Sequence, residues 1–166
     1  MEENKQEKSK HVRIFDTTLR DGQQCPGAGM SFENNLQYAE LACAVGVDVL
    51  EAGFPAASAL EYQIVNTIAL EFSARSDSPI IAGLCQLREE QVDLTIESLL
   101  PAIRYNKALL HVYLPVGEEL MPSSLGERAN NKKQLVKEVY DFVLKAVKTG
   151  MEVEFSPEGY SKMKSN

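Results

Sequence analysis

About five short runs of β-branched, aromatic and other apolar residues recur along the chain, with a helix-like pattern filling each gap between them. The runs fall at 12–18, 47–52, 80–84, 108–114 and 151–156. Their spacing, roughly thirty residues, is what a strand needs to return parallel to its predecessor through a crossover helix. The gaps supply those helices. Ser31 is placed to cap the first, with Glu33 in its first turn, Phe32, Leu36, Ala39 and Cys43 on one face, and Gly46 as the stop. A second helix is expected over 58–73, with Leu60, Ile64, Ile68 and Phe72 on its stripe. A third is expected over 88–100, with Val92, Ile96, Leu99 and Leu100 turned inward and Pro101 kinking or ending it. The fourth carries Leu135, Val139, Phe142, Val143, Ala146 and Val147 and stops at Gly150. Between the fourth strand and that helix lies 115–131, rich in Pro and Gly, expected to be a long functional or mobile loop. The class is α/β with parallel strands. The pattern alone fits an open doubly wound sheet and part of a barrel equally.

Charge and cysteine content narrow the function classes. A net charge of −7 argues against nonspecific nucleic-acid binding. No apolar run reaches membrane-span length and no signal peptide is visible, so a cytoplasmic protein without membrane contact is expected. Cys25, Cys43 and Cys85 are widely spaced and odd in number, which is neither a zinc pattern nor a disulfide framework. Cys43 and Cys85 read as core residues, and Cys25 as exposed in a loop. Residues 1–10 are polar and charged and read as a disordered tail.

The residues with chemical potential lie at strand ends. The first strand runs into Asp16-Thr17-Thr18-Leu19-Arg20-Asp21-Gly22-Gln23-Gln24. A strand that delivers Arg, Asp and amide side chains into a Gly-containing loop has the form of an active-site edge. Asp21 offers a hard oxygen to a divalent metal, and Arg20 beside it can neutralise charge growing on a substrate oxygen. An isolated R-D-G is, by contrast, an ordinary surface pair in a turn. Gly27 and Gly29 in the following loop lack the third Gly and the Lys of a phosphate loop and read as flexible loop.

The stretch D-T-T-L-R-D-G-x-Q resembles the start of the 2-isopropylmalate synthase family, which includes citramalate and homocitrate synthases and, more distantly, hydroxymethylglutaryl-CoA lyases. G-V-D-V-L-E-A-G-F-P at 46–55 resembles that family's second strand, and V-E-F-S-P-E-G-Y-S at 153–161 its fifth. The resemblance runs from about residue 11 to the C-terminus, with the three stretches in the family's order. It implies a partial TIM (β/α)8 barrel of about five strands and four helices, cut after strand five, because a complete barrel needs at least about 200 residues. It also implies a metal-dependent condensation of acetyl-CoA with a 2-oxo acid, 2-oxoisovalerate in leucine biosynthesis, or pyruvate in the citramalate case. Asp21 is then a ligand to Mn, Mg or Zn. Arg20 stabilises the alkoxide, Glu158 sits beside the 2-oxo acid, Gln24 orients the metal shell, and Leu84, His111 and Ser156 line the pocket. Bland alternatives stand beside these: His111 as a satisfied core histidine, Glu158 as a solvated turn residue, Leu84 as simple core, and Glu51 and Glu154 as structural carboxylates.

The departures matter as much. The family completes its metal site with a later His-x-His, whereas this sequence has only His11 and His111. The downstream catalytic residues and the leucine-sensing domain are also missing. The expectation is a piece of the catalytic barrel that is inactive alone, an assembly fragment being the non-catalytic alternative. Exposed strand edges would drive it to homo-oligomers.

Overall fold

A computed structural model describes residues 12–162; the tail expected over 1–10 lies outside them. Five strands form one parallel sheet in sequence order: β1 (Phe15–Asp16), β2 (Val49–Gly53), β3 (Ile80–Gln86), β4 (Ala108–Pro115) and β5 (Glu152–Glu158). The helices are α1 (Phe32–Val45), α2 (Ala59–Phe72), α3 (Glu89–Ile103), α4 (Leu120–Leu125) and α5 (Lys132–Lys148). The result is a half-barrel of TIM type. Arg13, just before β1, reaches Glu152 at the start of β5 at 3.1 Å, so the sheet curls far enough to bring its two outer strands within side-chain reach.

The curl divides the apolar residues into two layers. The large cluster lies between sheet and helices, around Leu50, Ile64, Ile68, Ile81, Leu99 and Leu110. A small layer of Val49, Ala82 and Leu109, with Phe15 and Ile80 against it, fills the concave side. In-register partners share a face, so Leu84, His111 and Glu154 point into the concavity, as do Tyr113 and Ser156 one step further on. The helix starts are fixed as their sequences suggest. Ser31 Oγ accepts from the Asn34 N–H and Ser58 Oγ from the Glu61 N–H. Gly46 closes α1 in the left-handed region, at φ 79°, donating to the Ala42 and Cys43 carbonyls. Gly83 lets α3 settle on β3, since a Cβ there would lie 2.8 Å from Thr95 Cγ2.

Several expectations need correction. There are five helices among the described residues, not four, because 115–131 contains α4 and a 3-10 segment, Gly126–Asn130, rather than an unstructured loop. Pro122 misleads in that region. It occupies the first turn of α4, where its missing N–H would have had no intrahelical partner. Pro101 does not stop its helix at 100 either. α3 continues to Ile103, since Pro101 stands in the last turn and forfeits one backbone bond near an end that frays anyway. Leu100, Leu60 and Val147, placed on inward faces, are exposed at the margins of their stripes. β1 is two residues long, shorter than 12–18, because the chain turns sharply at Thr17. Among the described residues no helix is long and apolar enough to cross a membrane.

Candidate functional site

The turn after β1 is built by its own backbone. The Thr17 carbonyl accepts from the N–H groups of Arg20, Asp21 and Gly22 at 3.1, 2.8 and 3.2 Å. Leu19 is buried in the core at 1% exposure, and Arg20 beside it lines the cavity at the strand ends. Asp16 steadies the approach by accepting from the Thr18 N–H at 2.8 Å and the Tyr38 hydroxyl at 2.7 Å. Burial pushes its carboxyl up in pKa, but these hydrogen bonds outweigh it and leave it below the ordinary range. Gln23 staples the turn to α1. Its amide donates to the Leu19 carbonyl and to Asn35 Oδ1, both at 2.7 Å, and its oxygen accepts from the Met30 N–H at 2.9 Å. The loop read as flexible is therefore tied at its two ends, at Gln23 and Met30. Asn35 is fully buried on the α1 stripe, next to Phe32 and Ala39 in helical spacing, and that misplaced polar residue was the available signal for the clamp.

The centre of the site is a row of four side chains from four different segments. Glu51 on β2 is completely buried. One of its oxygens accepts from Arg20 Nε at 2.7 Å, and the other meets His111 Nδ1 at 2.5 Å. His111 Nε2 faces Ser156 Oγ at 2.7 Å. The His111 ring also stands edge-on to Phe15, with centroids 5.7 Å apart at 74°. Arg20 extends the row outward by donating from Nη1 to Asp21 at 2.9 Å. A buried carboxylate between a guanidinium and an imidazole is fixed by both, so it sets the orientation of both.

This row forms one wall of a cavity of about 320 Å3 at the C-terminal ends of the strands, lined by Arg20, Asp21, Gln24, Phe54, Leu84, His111, Tyr113, Ser156 and Glu158. All seven residues singled out in the sequence therefore face one space, including Gln24, Leu84 and Glu158, which come from three different segments. His111 is buried and also lines the cavity. Phe54 and Tyr113 complete the lining and were not singled out; an isolated aromatic at a strand end carries no signal of its own. Burial raises the Tyr113 phenol above its ordinary pKa. Glu51 was read as a structural carboxylate without a named partner, and its partners prove to be the two cationic or basic side chains of the site. A larger recess, about 820 Å3, lies between the start of α3 and α5. Several of its charges are already paired, Arg128 with Glu138 at 2.6 Å and Asp93 with Lys145, so the smaller cavity with its convergent polar groups is the functional candidate.

A divalent cation would find Asp21 well suited. Its side chain is 62% exposed at the cavity edge and presents a hard oxygen. Among the described residues, however, no group of three or more His, Cys, Asp or Glu side chains is placed to hold a metal. The residues present thus fit one side of a coordination shell, not a closed one.

The HMGL-like family model matches residues 11–166. The chain is similar to the 2-isopropylmalate synthase of Microcystis aeruginosa, 35% identical over 147 residues, covering 89% of this chain and 26% of that protein. It is similar to the 2-isopropylmalate synthase of Saccharolobus solfataricus, 36% identical over 151 residues, covering 91% of this chain and 36% of the relative. Over a shorter span, 96 residues, it is 49% identical to the Bradyrhizobium diazoefficiens 2-isopropylmalate synthase, covering 58% of this chain and 18% of the relative. The chain spans about a quarter of the length of the curated relatives it matches, 26%, 23% and 28% for three of them. On the extent of the family match and these identities, the chain belongs to the HMGL-like family.

Proposed function

We propose that this chain carries the 2-oxo acid side of an acyltransferase site of the 2-isopropylmalate synthase type. The supporting observation is the convergence of Arg20, Asp21, His111, Ser156 and Glu158 on one small cavity at the strand ends. The reaction joins the methyl carbon of acetyl-CoA to the C2 carbonyl of 2-oxoisovalerate. A base takes a methyl proton, the new alkoxide is protonated, and water then cleaves the thioester and releases CoA. A divalent cation, when bound, polarises the 2-oxo carbonyl as a Lewis acid.

The chain's own residues do the rest. Asp21 offers the cation one ligand. Arg20, held by Glu51, presents a fixed positive charge toward the oxygen that becomes the alkoxide. Leu84 and Phe54 supply an apolar wall for the side chain of the acid, and Glu158 at the rim accepts a hydrogen bond from the acid's new hydroxyl. With Asp21 offering one ligand and no three-residue ligand group among the described residues, this reading has the chain inactive alone. Its outer strands β1 and β5 each have a single strand neighbour in the sheet, and the same proposal has copies associating through those edges.

The test is CoA thiol release from acetyl-CoA, with 2-oxoisovalerate and pyruvate offered separately, with and without Mn2+ or Mg2+. The chain is run beside a version continued through the remaining barrel strands. Release by the longer protein only, abolished by Asp21→Ala, is the expected result, and the preferred acid separates the 2-isopropylmalate from the citramalate reaction. Release by the chain alone would overturn the ligand argument. Silence from a folded longer protein would point to a lyase or to a non-catalytic role.

A further inference from the structure

We infer that the end of the half-barrel formed by α5 and β5 is a self-recognition surface, on which a second copy of this chain docks across a two-fold axis with α5 antiparallel to α5 and β5 antiparallel to β5. The inference names the surface for the association of copies proposed above and rests on that part of the reading alone.

Three faces of α5 point to it. Gln134, Glu138, Asp141 and Lys145 turn toward α3: the first three line the recess there, and Lys145 reaches Asp93. One residue on, Leu135, Val139, Phe142 and Ala146 pack in the large cluster against the sheet. One residue on again, Val136, Tyr140, Val143 and Val147 repeat the same spacing. Each residue turns the helix by about 100°, so the sheet-facing side has α3 on one flank and this third, apolar stripe on the other. Among the described residues no element covers that flank. Val136 is 71% exposed, Tyr140 65% and Val147 53%.

Beneath the flank lies β5, the outer strand after β4. Phe155 shares the helix-facing side of β5 with Val153, which packs against the core, and is 36% exposed. The Val116 N–H donates to the Glu158 carbonyl, so residues 152, 154, 156 and 158 turn their backbone groups toward β4, and 153, 155 and 157 turn theirs to the open edge. Pro157 falls in the outward set, where its missing N–H leaves the β4 ladder intact. Helix flank and strand edge thus form one continuous surface.

Length, distance and sequence each select a second copy as the occupant. β5 is seven residues long and β1 two, so a second β5 matches the edge and a β1 does not. A crossover helix lies over the two strands it joins, so a locally flat β5–β5 junction sets the two α5 axes two strand spacings apart, about 9.6 Å. Helices pack at roughly 8–10 Å, so the edges and the flanks close together. The stripe is its own complement in the antiparallel pair, with Val136 against the second copy's Val147 and Tyr140 against its Val143, as an isologous contact requires. Strand pairing centred on Phe155 sets the two Phe155 rings beneath them, and each Val153 N–H donates to the second copy's Pro157 carbonyl. The charges allow this register. Glu154 comes opposite Ser156, and Glu158 opposite Glu152, whose charge Arg13 already offsets at 3.1 Å. The stripe is about 16 Å long, a face smaller than the roughly 800 Å2 per partner of a standard interface, so the dimer dissociates on dilution.

Sedimentation velocity of the full chain over a concentration series should show a monomer–dimer equilibrium. Tyr140→Glu, at a mostly exposed side chain, should leave the far-UV circular dichroism unchanged and weaken the dimer at least about tenfold. Leu41→Glu, at a side chain 61% exposed on α1, should leave association unchanged. Orientation is read by disulfide trapping in a Cys25→Ser background, which removes the exposed native thiol. In the antiparallel pair position 136 lies against 147 and about 16 Å from its own counterpart. Val136→Cys and Val147→Cys chains should therefore cross-link when mixed and not when alone. A monomer at every concentration, wild-type association in Tyr140→Glu, loss of the dimer in Leu41→Glu, a cross-link in Val136→Cys alone, or none in the mixture would each overturn the inference. CoA release plays no part in these readouts, so failure of the condensation reading is registered separately.

Discussion

Replacing Glu51 by Gln isolates the interaction on which the site's geometry turns. The side chain is completely buried, with one oxygen on Arg20 at 2.7 Å and the other on His111 at 2.5 Å. Both neighbours present donors. A glutamine keeps the volume but has one oxygen and no charge, so with that oxygen on Arg20 its NH2 meets His111 Nδ1, which can accept only by giving its hydrogen to Nε2, and the Arg20 charge loses its buried counter-ion. Removing one partner of a fully buried ion pair costs about 3–5 kcal/mol. Arg20 retains Asp21 at 2.9 Å and an 18% exposed side chain, which lowers the expectation to about 2–4 kcal/mol. With a urea m-value of about 2 kcal/mol/M, the unfolding midpoint should drop by about 1–2 M. Asp77→Asn is the control, because the Arg75–Asp77 pair is half-exposed and should be worth under about 1 kcal/mol. The double variant with Arg20→Met should show coupling of about 1–3 kcal/mol rather than additivity. A Glu51→Gln midpoint no lower than that of Asp77→Asn, or strict additivity with Arg20→Met, would refute the anchoring argument.

Other expectations test the scaffold. Gly83→Ala puts a methyl 2.8 Å from Thr95 Cγ2 and 3.3 Å from Leu99 Cδ1, which should cost about 1–3 kcal/mol; an unchanged thermal midpoint would show that α3 shifts freely on β3. The Asp16 carboxyl is held below its ordinary value of 3.8 by Thr18 and Tyr38 despite the upward push of burial. Its contribution to stability is therefore complete above that pH and disappears as pH falls through the lowered folded value, and Tyr38→Phe should flatten this acid limb in a pH series of urea midpoints. Of the three cysteines, only exposed Cys25 should react quickly with a thiol reagent; Cys43 and Cys85 are buried, and burial pushes the Cys85 thiol up to about 12. Two fast thiols in the native protein would contradict the packing of one of these residues.

What could be read from the chain, and what could not, follows from the range of each signal. Strand and helix order was legible because each element carries its own period: Ser31 and Gly46 bracket α1, and Ile64, Ile68 and Phe72 mark the buried face of α2. Arg20 and Asp21 were legible from their place after a strand, whereas Gln24, Leu84, His111, Ser156 and Glu158 were legible through the family resemblance; parallel topology, which sends every strand's C-terminal end to one rim, is why they meet. Proline was misread in 115–131 and at 101 because its effect depends on which turn of a helix it enters, and the helix ends there had no other marker.

Pairings across the rim leave no such trace. Nothing local distinguishes Glu51 from Glu154, since both are acidic residues on strands with inward register, yet one is sealed between Arg20 and His111 while the other is exposed. The difference is made by curvature. β2 lies in the interior of the sheet with neighbours on both sides, and β5 is an outer strand. A carboxylate on an inner strand is desolvated by its neighbours and must find cations there, whereas one on an outer strand keeps its water. Arg20 and His111 are the cationic and basic groups within reach of β2, so once the sheet curls, Glu51 has to organise them. The electrostatic centre of the cavity is thus a consequence of strand position, and a sheet edge closed by further strands would bring Glu154 under the same constraint.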